Sequence, residues 1–330
     1  MSRRRILSVL GLAVAVALAV WVVMRAGDLK NLAAVFRGAL NRPGWLLLGV
    51  SLLGVSLLAG TLRWWLLLGA FWTPLPFREV VRLYLAGHFC SIFATGATGG
   101  DVVKAAVVAA RFPGRRLAAI ASIGVERVIG LLSLAFPLGL AQAAVRRTTA
   151  GTGGIDMHRL CLVLSLGLFA AWCLAAVVLC VNGSWLARRM PLRRRFPALC
   201  GRLAPLAAVW EDIRRVCFRR NLLCSVLWLS ILNHVVAALC GVAMARAAGA
   251  DVPLLDAASA MLLSNAVAMV PLTPGGVGLR EATAAELLRT IGATPAQASA
   301  TGLLVFGAIL VWAAIGAVAW FALRRKRPAP

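Results

Sequence analysis

Pro271-Leu272-Thr273-Pro274-Gly275-Gly276-Val277-Gly278-Leu279-Arg280-Glu281 is the stretch whose reading decides the fold. Two prolines and three glycines within eleven residues cannot form a helix interior. Yet the 17 residues just before Pro271, Leu254 to Val270, are almost wholly apolar, and a segment with charge in its first turn follows. The reading is a half-helix, a break and a second half-helix. An earlier stretch has the same grammar: the apolar run through His88 enters Gly96-Ala97-Thr98-Gly99-Gly100 and then Asp101-Val102-Val103-Lys104.

Working outward, each break lies at nearly the same distance from the start of a full-length apolar run. Trp45 to Gly100 is 55 residues and Leu222 to Gly276 is 54. Six runs approach the roughly 20 apolar residues that a transmembrane helix needs: Ile6–Met24, Trp45–Ala70, Leu117–Leu140, Leu160–Val181, Leu222–Ala245 and Thr301–Leu323. The first follows Arg3, Arg4 and Arg5 without a small-x-small cleavage site and reads as a retained span. Placing both termini, the Arg78–Arg116 segment and the Asn182–Asn221 loop in the cytoplasm puts 23 basic residues inside against 10 outside. Trp45 then starts outside and Leu222 inside. The sequence therefore predicts an all-α polytopic membrane protein of six full spans and two re-entrant helix pairs, arranged as an inverted repeat; the alternative is that the breaks are ordinary loops between full spans, since Leu254–Val270 could nearly cross alone. Residues 1–330 form one transmembrane domain, with halves at about 45–140 and 222–323 and a basic cytoplasmic loop at 182–221.

Composition agrees. The chain has 330 residues, 61% hydrophobic and 14% charged, with a mean hydropathy of +0.88, too apolar for a soluble domain. The formal charge of +24 sits in short clusters between apolar runs, where topology signals belong, so no nucleic-acid partner is expected. Of the eight cysteines, none forms a C-x-x-C pair and five lie in apolar runs, so they read as small hydrophobes. The ten arginines between Asn182 and Asn221 predict an interfacial helix on the anionic leaflet. No G-x-S-x-G, H-E-x-x-H or Walker loop is present, and neither hydrolysis nor ATP-driven transport finds its residues. No cofactor and no metal are expected.

Backbone that leaves helical geometry at membrane depth must line protein or a polar cavity. Interrupted helices at matching places in two inverted halves point to a transport site, and the N-terminus of each second half-helix favours an anion. The candidate substrate-binding residues are Gly96, Gly99, Gly100, Asp101, Lys104, Glu126, Arg127, Pro274, Gly275, Gly276, Gly278, Arg280 and Glu281. Glu126 and Arg127 stand inside an apolar run and need partners. Arg127 suits either a phosphate contact or a buried pair with an acid such as Asp101. Asp101 suits either a helix cap or a ligand contact. Lys104 reads as an interfacial anchor, Arg63 beside Trp64 and Trp65 as a snorkelling side chain, and His88, Asn233, His234 and Asn265 as inter-helix hydrogen-bonding groups. Gly276→Leu is expected to abolish transport while leaving membrane insertion intact.

The segments Gly99–Lys104, Val125-Glu126-Arg127-Val128-Ile129-Gly130-Leu131-Leu132 and Pro271–Glu281 resemble the transmembrane flippase domain of bacterial lysylphosphatidylglycerol synthases and its stand-alone relatives. The resemblance covers most of the chain, and the Pro271–Glu281 segment is its most specific part. It implies a polytopic protein of the cell inner membrane that moves a lipid headgroup between leaflets, aminoacylated phosphatidylglycerol in the best-known members. Relatives often carry proline where Thr95 stands, which implies a less sharply kinked first break. The synthases append an aminoacyl-transfer domain, whereas this chain stops seven residues after Leu323. The expectation is therefore a transporter without enzymatic activity, to which a lysyltransferase label would not apply. Its partners would be anionic or aminoacylated membrane lipids and a lipid-modifying enzyme. The alternatives are a secondary transporter of a soluble anion and a non-transporting membrane partner of such an enzyme.

Overall fold

The computed structural model describes residues 29–93, 99–144, 157–180, 197–269 and 273–325, with a few positions between 17 and 25. Gly96, Thr95, nearly all of the Ile6–Met24 run and the 182–196 part of the basic loop lie outside the described residues. In chain order the helices are α1 (Leu29–Leu40), α2 (Pro43–Ala70), α3 (Phe77–Phe93), α4 (Gly99–Arg111), α5 (Arg116–Ser133), α6 (Ala135–Ala144), α7 (Met157–Cys180), α8 (Pro197–Cys217), α9 (Arg220–Ala247), α10 (Leu254–Ala268), α11 (Leu279–Thr290) and α12 (Pro295–Arg325). No strand occurs among the described residues.

Among the described residues, five stretches are long and apolar enough to cross a membrane: Pro43–Ala70, Pro113–Ala141, Arg159–Cys180, Arg220–Ala247 and Pro295–Leu323. Each coincides with a span expected from the sequence. Local chemistry sets their ends. Pro43 stands at the start of α2, where its missing N–H is harmless. At α12, Thr294 and Gln297 close a reciprocal capping box: the Gln297 N–H donates to Thr294 Oγ1 at 3.3 Å, and the Thr294 N–H donates to Gln297 Oε1 at 3.1 Å. The run expected as one span over Leu117–Leu140 is divided at Leu134 into α5 and α6. Pro137 explains the division, because without an N–H it cannot donate to the carbonyl of Ser133 one turn back.

The order long helix, short helix, break, short helix, long helix occurs twice, as α2 to α5 and as α9 to α12. The two 28-residue helices α2 and α9 pack against each other along the middle of the molecule. Ser56 Oγ donates to Asn233 Oδ1 at 3.1 Å, and Asn233 Nδ2 returns a bond to the Ser56 carbonyl at 3.2 Å. Such a bond between helices in lipid contributes about 0.6 kcal/mol. Small residues let backbones approach: a side chain at Gly316 of α12 would run into the Leu85 carbonyl of α3. Trp312 of α12 anchors this side by donating from Nε1 to the Val50 carbonyl of α2 at 2.9 Å. By contrast, α7 is the least buried of the spans and turns Leu166, Phe169, Leu174 and Val177 outward, as a lipid-facing helix should.

Candidate functional site

The second break is a single 3₁₀ turn, Pro274–Gly276, followed by Val277 and Gly278. Gly276 has φ +74°, and a Cβ there would lie 2.8 Å from both Cβ and O of Ala268 at the end of α10. Glycine is therefore required twice over, by conformation and by space. At the first break, a Cβ on Gly100 would overlap the Gly87 carbonyl, so α3 and α4 meet backbone to backbone. The turn of the second break also touches α3 near its end, since a Cβ on Gly275 would approach the Ser91 carbonyl oxygen to 3.3 Å.

Around this junction lies a cavity of about 500 Å³. That is the size class of small-molecule sites, about 300–1,000 Å³. Gly87, His88, Ser91, Gly100, Asp101 and Lys104 form its wall on the first break, and Thr273, Gly275, Gly276 and Arg280 form its wall on the second. Ser56, Arg63, Tyr84, Glu126, Arg127, Asn233, His234 and Asn265 add further polar groups.

The charges on the first side form a chain. Glu126 accepts from Arg63 Nη2 through Oε1 and from Lys104 Nζ through Oε2, each at 3.1 Å. Lys104 Nζ also reaches Asp101 Oδ1 at 3.0 Å, and Asp101 Oδ2 accepts from Arg127 Nε at 2.6 Å. The Lys104 ammonium stands 4.9 Å from the ring centroids of both Trp64 and Tyr84, a cation–π position on two faces. Arg63 Nη1 donates to Ser230 Oγ at 3.0 Å. The side chains of Arg63, Lys104 and Glu126 are 9%, 6% and 3% exposed, whereas Arg127 at the end of the chain is 55% exposed. Three cations and two carboxylates leave one positive charge over. A buried charge in lipid persists only when paired, and here each acid is held by two cations.

The second side is built differently. Arg280, at the first turn of α11, has only a long 3.4 Å bond from Nη2 to the Gly275 carbonyl, and its buried Nε has no partner among the described residues. No carboxylate pairs with it among those residues. Arg63 also leaves Nε unbonded, but both of its terminal nitrogens are engaged. Buried Glu281 turns back to cap its helix, accepting the Gly278 N–H at 2.6 Å. His88, which bonds the Ile309 backbone, adds a buried Nε2 without a partner among the described residues on the α3 wall. With Arg280 the cavity carries two more cations than acids.

The structure thus brings Gly100, Asp101, Lys104, Glu126, Arg127, Gly275, Gly276 and Arg280 to one cavity. Gly99 is buried just behind it, Pro274 and Gly278 shape the turn, and Glu281 lies in a smaller cavity beside Arg280. Two expectations are overturned. Arg63 does not snorkel: it is buried and paired, because α5 presents Glu126 to it across the helix contact. Lys104 is no interfacial anchor, because its ammonium is enclosed between two acids and two aromatic rings. Of the alternatives for Arg127, the pair with Asp101 forms. The expected inter-helix bonds form at Asn233 with Ser56 and at His234, whose Nε2 lies 2.7 Å from the Gly130 carbonyl.

Sequence reasoning missed Arg63, Trp64, Tyr84 and Ser230 as parts of the charge network. One signal could have found the first. Arg63 stands seven residues before the end of α2 and Glu126 ten after the start of α5, so opposite charges lie a few turns from the facing ends of two apolar spans.

Residues 8–317, nearly the whole chain, match the family model described as "Lysylphosphatidylglycerol synthase TM region". No curated protein matches the chain.

Proposed function

The chain belongs to the lysylphosphatidylglycerol synthase TM region family, and from that premise we propose that it is a lipid translocase that carries the headgroup of an anionic phospholipid between leaflets. The observation that supports this most is the pairing of two facts in one cavity: both helix breaks line it, and Arg280 stands there without a carboxylate. α11 begins at Leu279, next to Arg280, so phosphate oxygens would meet a guanidinium and the positive end of a helix dipole together. The acyl chains stay in lipid while the headgroup crosses between the breaks.

The surplus of positive charge bears on the lipid. Phosphate is common to anionic and aminoacylated lipids, but Asp101 and Glu126, the two acids in the cavity lining, are already engaged by Arg63, Lys104 and Arg127. An added ammonium would find no uncommitted acid there, so an unmodified anionic headgroup fits better than an aminoacylated one.

In this reading the two five-part units are an inverted repeat, the run before Met24 is a sixth span, both termini face the cytoplasm of the inner membrane, and the protein performs no covalent chemistry. Transbilayer movement of headgroup-labelled lipids in proteoliposomes tests it with anionic, aminoacylated and isoprenoid-linked lipids side by side. Faster movement of the anionic lipid over protein-free vesicles is expected. Acceleration of none of the three by folded protein would overturn the reading and leave soluble-anion transport or a partner role.

A further inference from the structure

Behind Arg280 lies a second, much smaller cavity of about 10 Å³, lined by Ala237, Gly241, Met261, Ser264, Asn265, Arg280, Glu281, Ala284, Gly302 and Val305. It is continuous in its walls with the large one: Ala237, Asn265, Arg280 and Val305 line both. Into it faces Glu281, which is 3% exposed. One carboxylate oxygen, Oε2, is held by the Gly278 N–H, and the other, Oε1, is buried without a partner among the described residues. Arg280 Nε is buried and unpartnered beside the same space, yet the two adjacent and opposite charges form no ion pair.

A buried carboxylate with one bare oxygen in lipid is expensive unless it is protonated or its partner is brought to it. The space has room for about one water molecule. A metal cation there would sit against the Arg280 guanidinium that lines the same space, whereas a proton neutralises Glu281 by forming an O–H bond, so a proton is the cation that fits. Resting on the reading of Arg280 as the anion contact, we propose that Glu281 is a proton-binding site that fills together with the anion, so that headgroup and proton move as a pair. The proton adds to Oε1 and is drawn from the aqueous cavity, while Oε2 keeps the Gly278 N–H.

The coupling follows from position. Glu281 and an anion on Arg280 share one helix N-terminus and one guanidinium, and two negative charges at one site oppose each other. A bound phosphate therefore favours protonation of Glu281, and protonation of Glu281 removes the negative charge that would repel phosphate at Arg280. By reciprocity each ligand strengthens the other by the same factor. The other titratable groups on these walls are His88 from α3, His234 and Cys240 from α9 and, at the far side, Asp101, Lys104, Tyr84 and Glu126. α10 and α12 bring no titratable group to either cavity. Of the two histidines, His234 is spoken for by the Gly130 carbonyl and His88 is the competitor.

The test is calorimetric binding of dihexanoyl-phosphatidylglycerol, a phosphodiester that does not titrate near neutrality, to the full chain in detergent, repeated in buffers of different ionisation enthalpy. The wild type should take up about one proton per anion bound, with affinity rising by up to about tenfold per unit of acidification. Glu281→Gln should bind with no proton uptake and no dependence on pH. Anion binding without proton uptake by the wild type overturns the proposal and leaves the anion site standing. Uptake that persists in Glu281→Gln and disappears in His88→Asn overturns it in favour of the histidine. Absence of anion binding at every pH overturns the reading of Arg280 on which it rests. Absence of proton uptake by the wild type overturns the proposal whether or not a variant folds, and uptake retained in His88→Asn excludes the histidine.

Discussion

Two glycine breaks meet at one cavity, but their charges are handled in opposite ways. Around the first, Arg63, Glu126, Lys104, Asp101 and Arg127 pair with one another in a continuous chain and Lys104 is enclosed by Trp64 and Tyr84. Around the second, Arg280 and Glu281 are neighbours that leave a nitrogen and an oxygen bare. Paired charges in a membrane interior hold helices together, while unpaired ones are tolerated where a ligand or a proton completes them. The difference divides the cavity into a scaffold side and a working side.

The comparison breaks most visibly on the scaffold side. Glu126→Leu strands the Arg63 guanidinium and removes half the support of Lys104, and loss of one partner from a buried pair costs about 3–5 kcal/mol. A large drop in thermal unfolding temperature in detergent, or no folded protein at all, is the expected outcome. A folded Glu126→Leu protein with normal unfolding and no transport would assign the chain to the working side instead.

Next in size is the turn itself. Gly276→Ala forces a Cβ into a left-handed residue at φ +74° and against Ala268, at a strain of about 1–3 kcal/mol. Both unfolding temperature and transport should fall. The expectation that Gly276→Leu would spare the fold and remove only transport is therefore unsafe, since the glycine is required by geometry before any ligand arrives. Arg280→Ala should separate the two effects, with transport lost and unfolding temperature close to wild type, because no ion pair is broken among the described residues. Arg280→Lys keeps the charge but not the forked geometry and should retain part of the activity. The smallest effect belongs to Arg127→Ala, since its side chain is half exposed at the end of the chain. Its removal should leave stability nearly unchanged and weaken transport at most severalfold, and a collapse of folding would show that the chain needs its exposed end.

Much of this was legible in the sequence because the membrane simplifies the code. Apolar length fixed the five described spans to within a few residues, and the clustering of proline and glycine located the break at Pro274–Gly278. The division at Leu134 was missed because hydropathy counts side chains and takes no account of the hydrogen bond that Pro137 cannot donate. On the site, glycines and charges in interrupted helices announced themselves one by one, and eight of the thirteen candidates share the cavity. What the sequence could not show was partnership. Arg63 looked free to reach an interface and Lys104 to anchor at one, because Glu126, the acid they share, is 63 and 22 residues away along the chain. Which cation stayed unpaired was a property of packing, and it singled out Arg280.

The most direct test of the central claim is the rate of transbilayer movement of a headgroup-labelled anionic phospholipid in proteoliposomes containing either wild type or Arg280→Ala at equal folded amounts. Acceleration by the wild type that falls to the protein-free rate in Arg280→Ala is the predicted result. Equal acceleration by both proteins would contradict it.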